Sequence, residues 1–221
     1  MDRARGLPDR AKSCSSDDGI TLVEVMIAIL VFTIFIAILL SSIIGITNAS
    51  TRAQVIARSS SGVLNVFQSF DRQVRYADSI NFPGTGTDGF RYVEFRTPSS
   101  SAATGVTMCT QWRFEPSTGQ IKSRKWQDLA GSNTPTAWVT QLSVVFDDGA
   151  NYPFGLMPAS LTSSMQQLTL TIDAGNATLR GASISANFAA RNSSQDSQSN
   201  PDNNVAGVSD NPVCLGTGTR S

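Results

Sequence analysis

Glu24 is the one charged residue in the apolar stretch "ITLVEVMIAILVFTIFIAILLSSIIG", which runs from Ile20 to Gly45. A carboxylate in so oily a segment costs a few kcal/mol if the segment enters lipid, and it normally implies a function or a partner. Three readings compete. A secretory signal peptide has a shorter apolar region begun by positive charge, whereas Asp17 and Asp18 stand just before this run and Thr47-Asn48-Ala49 is a weak cleavage site. A plain signal anchor fits the length, because ~20 apolar residues cross the ~30 Å hydrocarbon layer, but it leaves Glu24 unexplained. A cut between Gly19 and Ile20 explains it. The new α-amino group then lies four residues before Glu24, on the same helix face. The carboxylate can pair with its own amine or with that of a neighbouring subunit, and the positive end of the helix dipole favours it as well.

Other chemistry has little to work with. Histidine is absent, which removes the commonest general base and metal ligand. Lysine plus arginine and aspartate plus glutamate number 17 each, so no global field points to nucleic acid. The cysteines Cys14, Cys109 and Cys214 are far apart, with no C-x-x-C pair. "GTGTDG", with Gly84, Gly86 and Gly89, has the letters of a dinucleotide fingerprint but follows a helix and precedes a strand, so a flexible loop is expected. "DDGAN", Asp147 to Asn151, resembles part of a calcium loop but lacks the bidentate glutamate, so a tight turn is expected and no cofactor or metal is assigned. Arg72, Arg75 and Arg91 form a basic group that Asp71, Asp78 and Glu94 turn into a solvated face. Trp112, Trp126 and Trp138 are expected in core or subunit contacts, and Asn48, Asn176 and Asn192 sit in N-x-[ST] sequons. No enzymatic constellation emerges.

The elements that carry these residues follow from periodicity. No proline occurs between Pro8 and Pro83, and Ile56, Val63, Phe67, Phe70, Val74 and Ala77 recur at helical spacing. One helix is therefore expected from about Ile20 to about Asp78, oily all round over 20–46 and amphipathic over 47–80, with Gly45 or Gly62 as possible bends. From Phe90 the period drops to two. "FRYVEFRT", "VTMCTQWRFEP", "GQIKSRKW", "WVTQLSVVFDD", "QQLTLTID" and "ATLRGASISANFAAR" alternate apolar and polar residues and are separated by turn signals such as Pro116 to Gly119 and Ala174 to Asn176. Short connections favour antiparallel pairing, so residues 81–192 should form an antiparallel β domain packed on the helix, an α+β fold. The polar tail, 193–221, should be flexible unless pinned. Cys109 and Cys214 offer a bridge that would pin it; two free thiols, with Cys109 buried in a strand, are the alternative, and spacing does not decide between them.

"G-ITLVEVMIAIL" resembles the class III signal of type IV prepilins and pseudopilins: glycine, an apolar residue, T-L-x-E and about twenty apolar residues. Ile20 stands where that family usually has phenylalanine. The resemblance implies a pilin fold, with a prepilin peptidase that removes residues 1–19 on the cytoplasmic side and N-methylates Ile20. It also implies a single-pass location in the bacterial cytoplasmic membrane, N-terminus inside, before passage into a pilus or pseudopilus. The partners it implies are other pilin subunits, an assembly platform and an ATPase. Arg3, Arg5, Arg10 and Lys12 favour that orientation modestly. "FDRQVRYADSI", "CTQWRF" with "GQIKSRKW", and "SISANFAARNSS" with its Arg191-Asn192 pair further resemble J-type minor pseudopilins of type II secretion and W-type minor pilins. That implies a low-abundance subunit that helps initiate or cap a filament. The rival expectation is a membrane-anchored binding or adhesion domain that never polymerises.

Overall fold

The computed structural model describes residues 20–129, 134–143, 145–147, 149, 152–176, 179–214 and 220. The leader with Gly19 and Cys14 lies outside them. Backbone contacts divide the chain into two units, Met1–Ala49 and Ser50–Ser221.

In the first unit the helix α1 (Leu22–Val74) starts, and every described residue up to Ala49 is exposed. The helix is long and apolar enough to cross a membrane. Its hydroxyls are satisfied internally: Thr33 donates to the Leu30 carbonyl, Ser41 to Ala37, Ser42 to Ile38 and Thr47 to Ile43, at 2.8–3.0 Å. Each hydroxyl that interrupts the oily run therefore needs no partner from its surroundings, which lowers the cost of placing it in lipid. The helix continues through Gly45 and Gly62.

The second unit has an α+β architecture of one helical segment on two antiparallel sheets. The helix buries Val63, Val66, Phe67, Phe70 and Val74, while Arg58, Asn65 and Arg72 stay exposed. The expected stripe loses Ile56, which remains exposed, and gains Val66. Phe70 is the centre of the core, with its ring 5.0–6.4 Å from those of Phe95, Trp112, Phe154 and Phe188. Aromatic clusters of this kind add to the burial of their area.

The first sheet contains β1 (Ser79–Ile80), β3 (Arg91–Thr97), β4 (Met108–Glu115), β5 (Gln120–Gln127) and β6 (Val139–Leu142) in that order, with β2 (Gly84–Thr85) also paired to β3. The second runs β7 (Phe154–Met157), β8 (Gln167–Asn176), β9 (Leu179–Ala189). The segment read as one strand, "WVTQLSVVFDD", divides instead: Val139 to Leu142 pair with β5, and further on the backbone changes sheets. Val145 N–H donates to the Gly119 carbonyl in the β4–β5 turn, and Phe146 N–H donates to the Asp173 carbonyl on β8. Two successive amides thus join the sheets.

Register explains which side chains meet the helix. Val93, Trp112 and Ser123 align across β3, β4 and β5, as do Phe95, Thr110 and Lys125. The alternate row, Glu94, Gln111 and Arg124, faces away from the helix. The "RYVEFRT" pattern predicts a solvated outer face, yet Tyr92 and Glu94 are buried. The tail covers Glu94 by way of Arg220, while Tyr92 packs against Trp138 and bonds Asp88. Over 193–214 the tail is pinned rather than free: Ser199 Oγ bonds Ser79 Oγ and the Ile80 carbonyl, Asn200 exchanges bonds with Ala159, and Val213 exchanges bonds with the Asn81 side chain. Its serines and asparagines spend their polar groups on the sheet edge and loop that they bury, so a composition that reads as disorder is ordered by hydrogen bonding.

Candidate functional site

The chain enters α1 through Ile20 and Thr21. Thr21 Oγ1 accepts a hydrogen bond from the Glu24 N–H at 3.3 Å, and the Thr21 carbonyl accepts from Val25 N–H at 3.2 Å. Thr21 is therefore the N-cap and Glu24 the third helical residue, the spacing of a capping box. This role for Thr21 goes beyond the sequence reading, although T-x-x-E before an apolar run is its signature. Glu24 is exposed and shares a helix face with Ile20, Ala28 and Phe32. Its carboxylate sits in the first turn, where unsatisfied N–H groups make the helix end positive, worth about 0.3–1 kcal/mol at an exposed site. The arrangement can hold one carboxylate ready for one cation on an otherwise apolar surface.

The other cysteines and charges meet in the second unit. Cys109 and Cys214 are joined, with Cα atoms 5.5 Å apart, and pack with Trp126 and Val213 in a small buried cluster. Glu94 is 2% exposed and is surrounded by donors. Gln111 Nε2 donates to Oε1 at 2.9 Å and Asn81 Nδ2 to Oε2 at 3.2 Å. Arg220 donates from Nε to Oε1 at 3.0 Å and from Nη2 to Oε2 at 2.7 Å. Arg124 Nε donates to Gln111 Oε1 at 2.7 Å, extending the row. Burial by itself would lower the Arg220 pKa, but the hydrogen bonds and charge of Glu94 outweigh it and hold the pKa raised. A buried, fully bonded carboxylate of this kind is a structural anchor, and Glu94 does not belong to a solvated face.

The glycine-rich segment takes part in the same anchor. Instead of a flexible loop, Gly84 and Thr85 pair with Tyr92 and Arg91 as β2. A Cβ on Gly86 would lie 2.4 Å from the Arg220 carbonyl oxygen, so the absence of a side chain there admits the end of the tail.

Of the arginines read as one basic group, Arg75 pairs with Asp71 and Arg91 with Asp147, while Arg72 goes elsewhere. Arg91 holds the Asp147 carboxyl below its usual range, helped by the Gly149 N–H. The rest of the DDGAN segment, Asp148, Ala150 and Asn151, lies outside the described residues. Among the described residues no three His, Cys, Asp or Glu side chains gather as metal ligands. Trp112 is in the core and Trp126 in the cystine cluster. Trp138 lies against two guanidiniums, those of Arg113 at 4.0 Å and Arg124 at 4.3 Å from its ring centre. Asn192 Nδ2 donates to the Tyr76 carbonyl and to Ser101 Oγ, both at 3.0 Å, tying β9 to the end of α1.

The family model described as the prokaryotic N-terminal methylation motif matches residues 14–40. No curated protein and no solved structure matches the chain at a significant level. The motif covers the signal and most of the apolar run, and among the described residues α1 is the helix long and apolar enough to cross a membrane. Thr21 capping the helix and Glu24 in its first turn both lie within the matched methylation motif, an arrangement consistent with a type IV prepilin-like class III signal.

Proposed function

We propose that this protein is a minor pilin or pseudopilin, a structural subunit that helps initiate or cap a type IV pilus or a type II secretion pseudopilus. The observation that carries this reading is Glu24, a lone exposed carboxylate four residues after the first residue of the processed chain, on a helix whose neighbouring surface is apolar. Removal of residues 1–19 gives Ile20 a cationic amine. Before assembly the helix waits in the cytoplasmic membrane, N-terminus inside. An ATPase-driven platform then extracts subunits, and lipid contacts are exchanged for helix–helix contacts. Glu24 meeting a neighbour's Ile20 amine sets axial stagger, because a misplaced subunit leaves a charge unpaired in apolar surroundings.

The test is Glu24→Ala. The variant is expected to insert into the membrane at normal level and to be lost from sheared or purified filaments. Normal recovery in filaments refutes the register role, and a chain never found in filaments even as wild type supports an anchored domain that does not polymerise.

A further inference from the structure

The last turn of α1 ends over the inner face of β4 and β5, leaving a cavity of about 310 Å³ between the helix end, the strands and the 98–106 loop. Arg72 and Lys125 both line it. Several cations of the second unit are paired with carboxylates: Arg75 with Asp71, Arg91 with Asp147, Arg96 with Asp78, Lys122 with Glu115 and Arg220 with Glu94. Arg72 and Lys125 differ from these in sharing one cavity without such a partner. Among the described residues neither has a carboxylate within ion-pair distance, and they face each other closely enough that Arg72, after burial, lowers the Lys125 pKa. Arg72 alone would be explained by the negative end of the helix dipole. Lys125 comes from a strand and has no such explanation.

The remaining lining is polar on one side and apolar on the other. Thr110 is only 4% exposed, and its hydroxyl, like those of Thr97 and Tyr76, makes no hydrogen bond within the described residues. Met108 supplies an apolar wall. Asn192 braces the rim through Tyr76 and Ser101. Two unneutralised cations call for an anion, and a planar guanidinium matches the two oxygens of a carboxylate as it does those of a phosphate. The unspent hydroxyls call for a hydroxylated body. The volume is at the lower end of the roughly 300–1,000 Å³ found for small-molecule sites.

We propose that this cavity binds a carboxylated, hydroxylated molecule of monosaccharide size, a uronic acid, with Arg72 and Lys125 on the carboxylate and Thr97, Thr110 and Tyr76 on the hydroxyls. The site belongs to the folded domain and does not depend on whether the chain enters a filament.

The test is calorimetric titration of the full chain in detergent with glucuronate, glucose, inorganic phosphate and a short glutamate-containing peptide. Saturable glucuronate binding at least ~10-fold tighter than glucose is expected, and Arg72→Gln and Lys125→Gln should each weaken it by roughly 10-fold. Both side chains are exposed, so the variants should keep the wild-type melting temperature; if Arg72→Gln melts early, Lys125→Gln carries the test alone. Equal binding of glucuronate and glucose, no binding of glucuronate, or an unchanged double variant overturns the proposal. Phosphate binding as tightly as glucuronate overturns it as mere charge attraction. Tighter binding of the peptide overturns it in favour of a neighbour's acidic side chain.

Discussion

Arg220 reaches across 126 residues of sequence to place a two-pronged guanidinium on the buried carboxylate of Glu94, at 3.0 and 2.7 Å. The pair closes the outer face of the first sheet. A strand that alternates as though one side met water is thereby buried on both.

Removing the guanidinium leaves Glu94 buried with two donors fewer. Arg220→Ala should lower the unfolding free energy by about 3 kcal/mol, the lower end of the range for breaking a buried pair, because Arg220 itself keeps some contact with solvent. Gly86→Ala should act on the same anchor from the other side, since its Cβ meets the Arg220 backbone. Denaturant midpoints of the single and double variants check this, and the double should cost less than the sum.

The Cys109–Cys214 bridge spans 105 residues. Cys214→Ser or reduction should destabilise the domain by ~2–4 kcal/mol by restoring freedom to the unfolded chain. Thermal melts with and without reductant measure the loss, and limited proteolysis should then cut first within 193–214.

Tyr92 is buried against Arg113 and Asp88, and its pKa is pushed up to about 12, by burial first and by the hydrogen bond to Asp88 next. A raised tyrosine pKa means that the fold prefers the neutral phenol. This contribution is fully present below the unfolded value of ~10 and is lost as pH climbs from there toward 12. Tyrosinate absorbance should show the Tyr92 phenol ionising late, toward pH 12, with stability falling over the same interval. Tyr92→Phe should remove the late step.

Processing gives the simplest check of the signal. In cells with a prepilin peptidase, the mature chain should begin at Ile20 carrying one added methyl group, read from the mass of its N-terminal peptide. An intact Met1, or an N-terminus near Ala49, excludes the class III signal as the working one.

What the sequence determined by itself was local. The i to i+4 relation of Ile20 and Glu24, the amphipathic stripe through Phe70 and the hairpin from β4 to β5 all rest on interactions within a few residues, where periodicity and turn chemistry specify the outcome. Only the tertiary structure decided where the chain changes sheets at Val145 and Phe146, and which face of β3 is closed. Alternation says that two faces differ, but not what will cover each. The cover on Glu94 arrives from more than a hundred residues away, in a segment whose serines and asparagines, taken alone, favour solvent. Those polar groups became structure because the sheet edge at Ser79, Ile80 and Asn81 offered them partners that no local pattern announces.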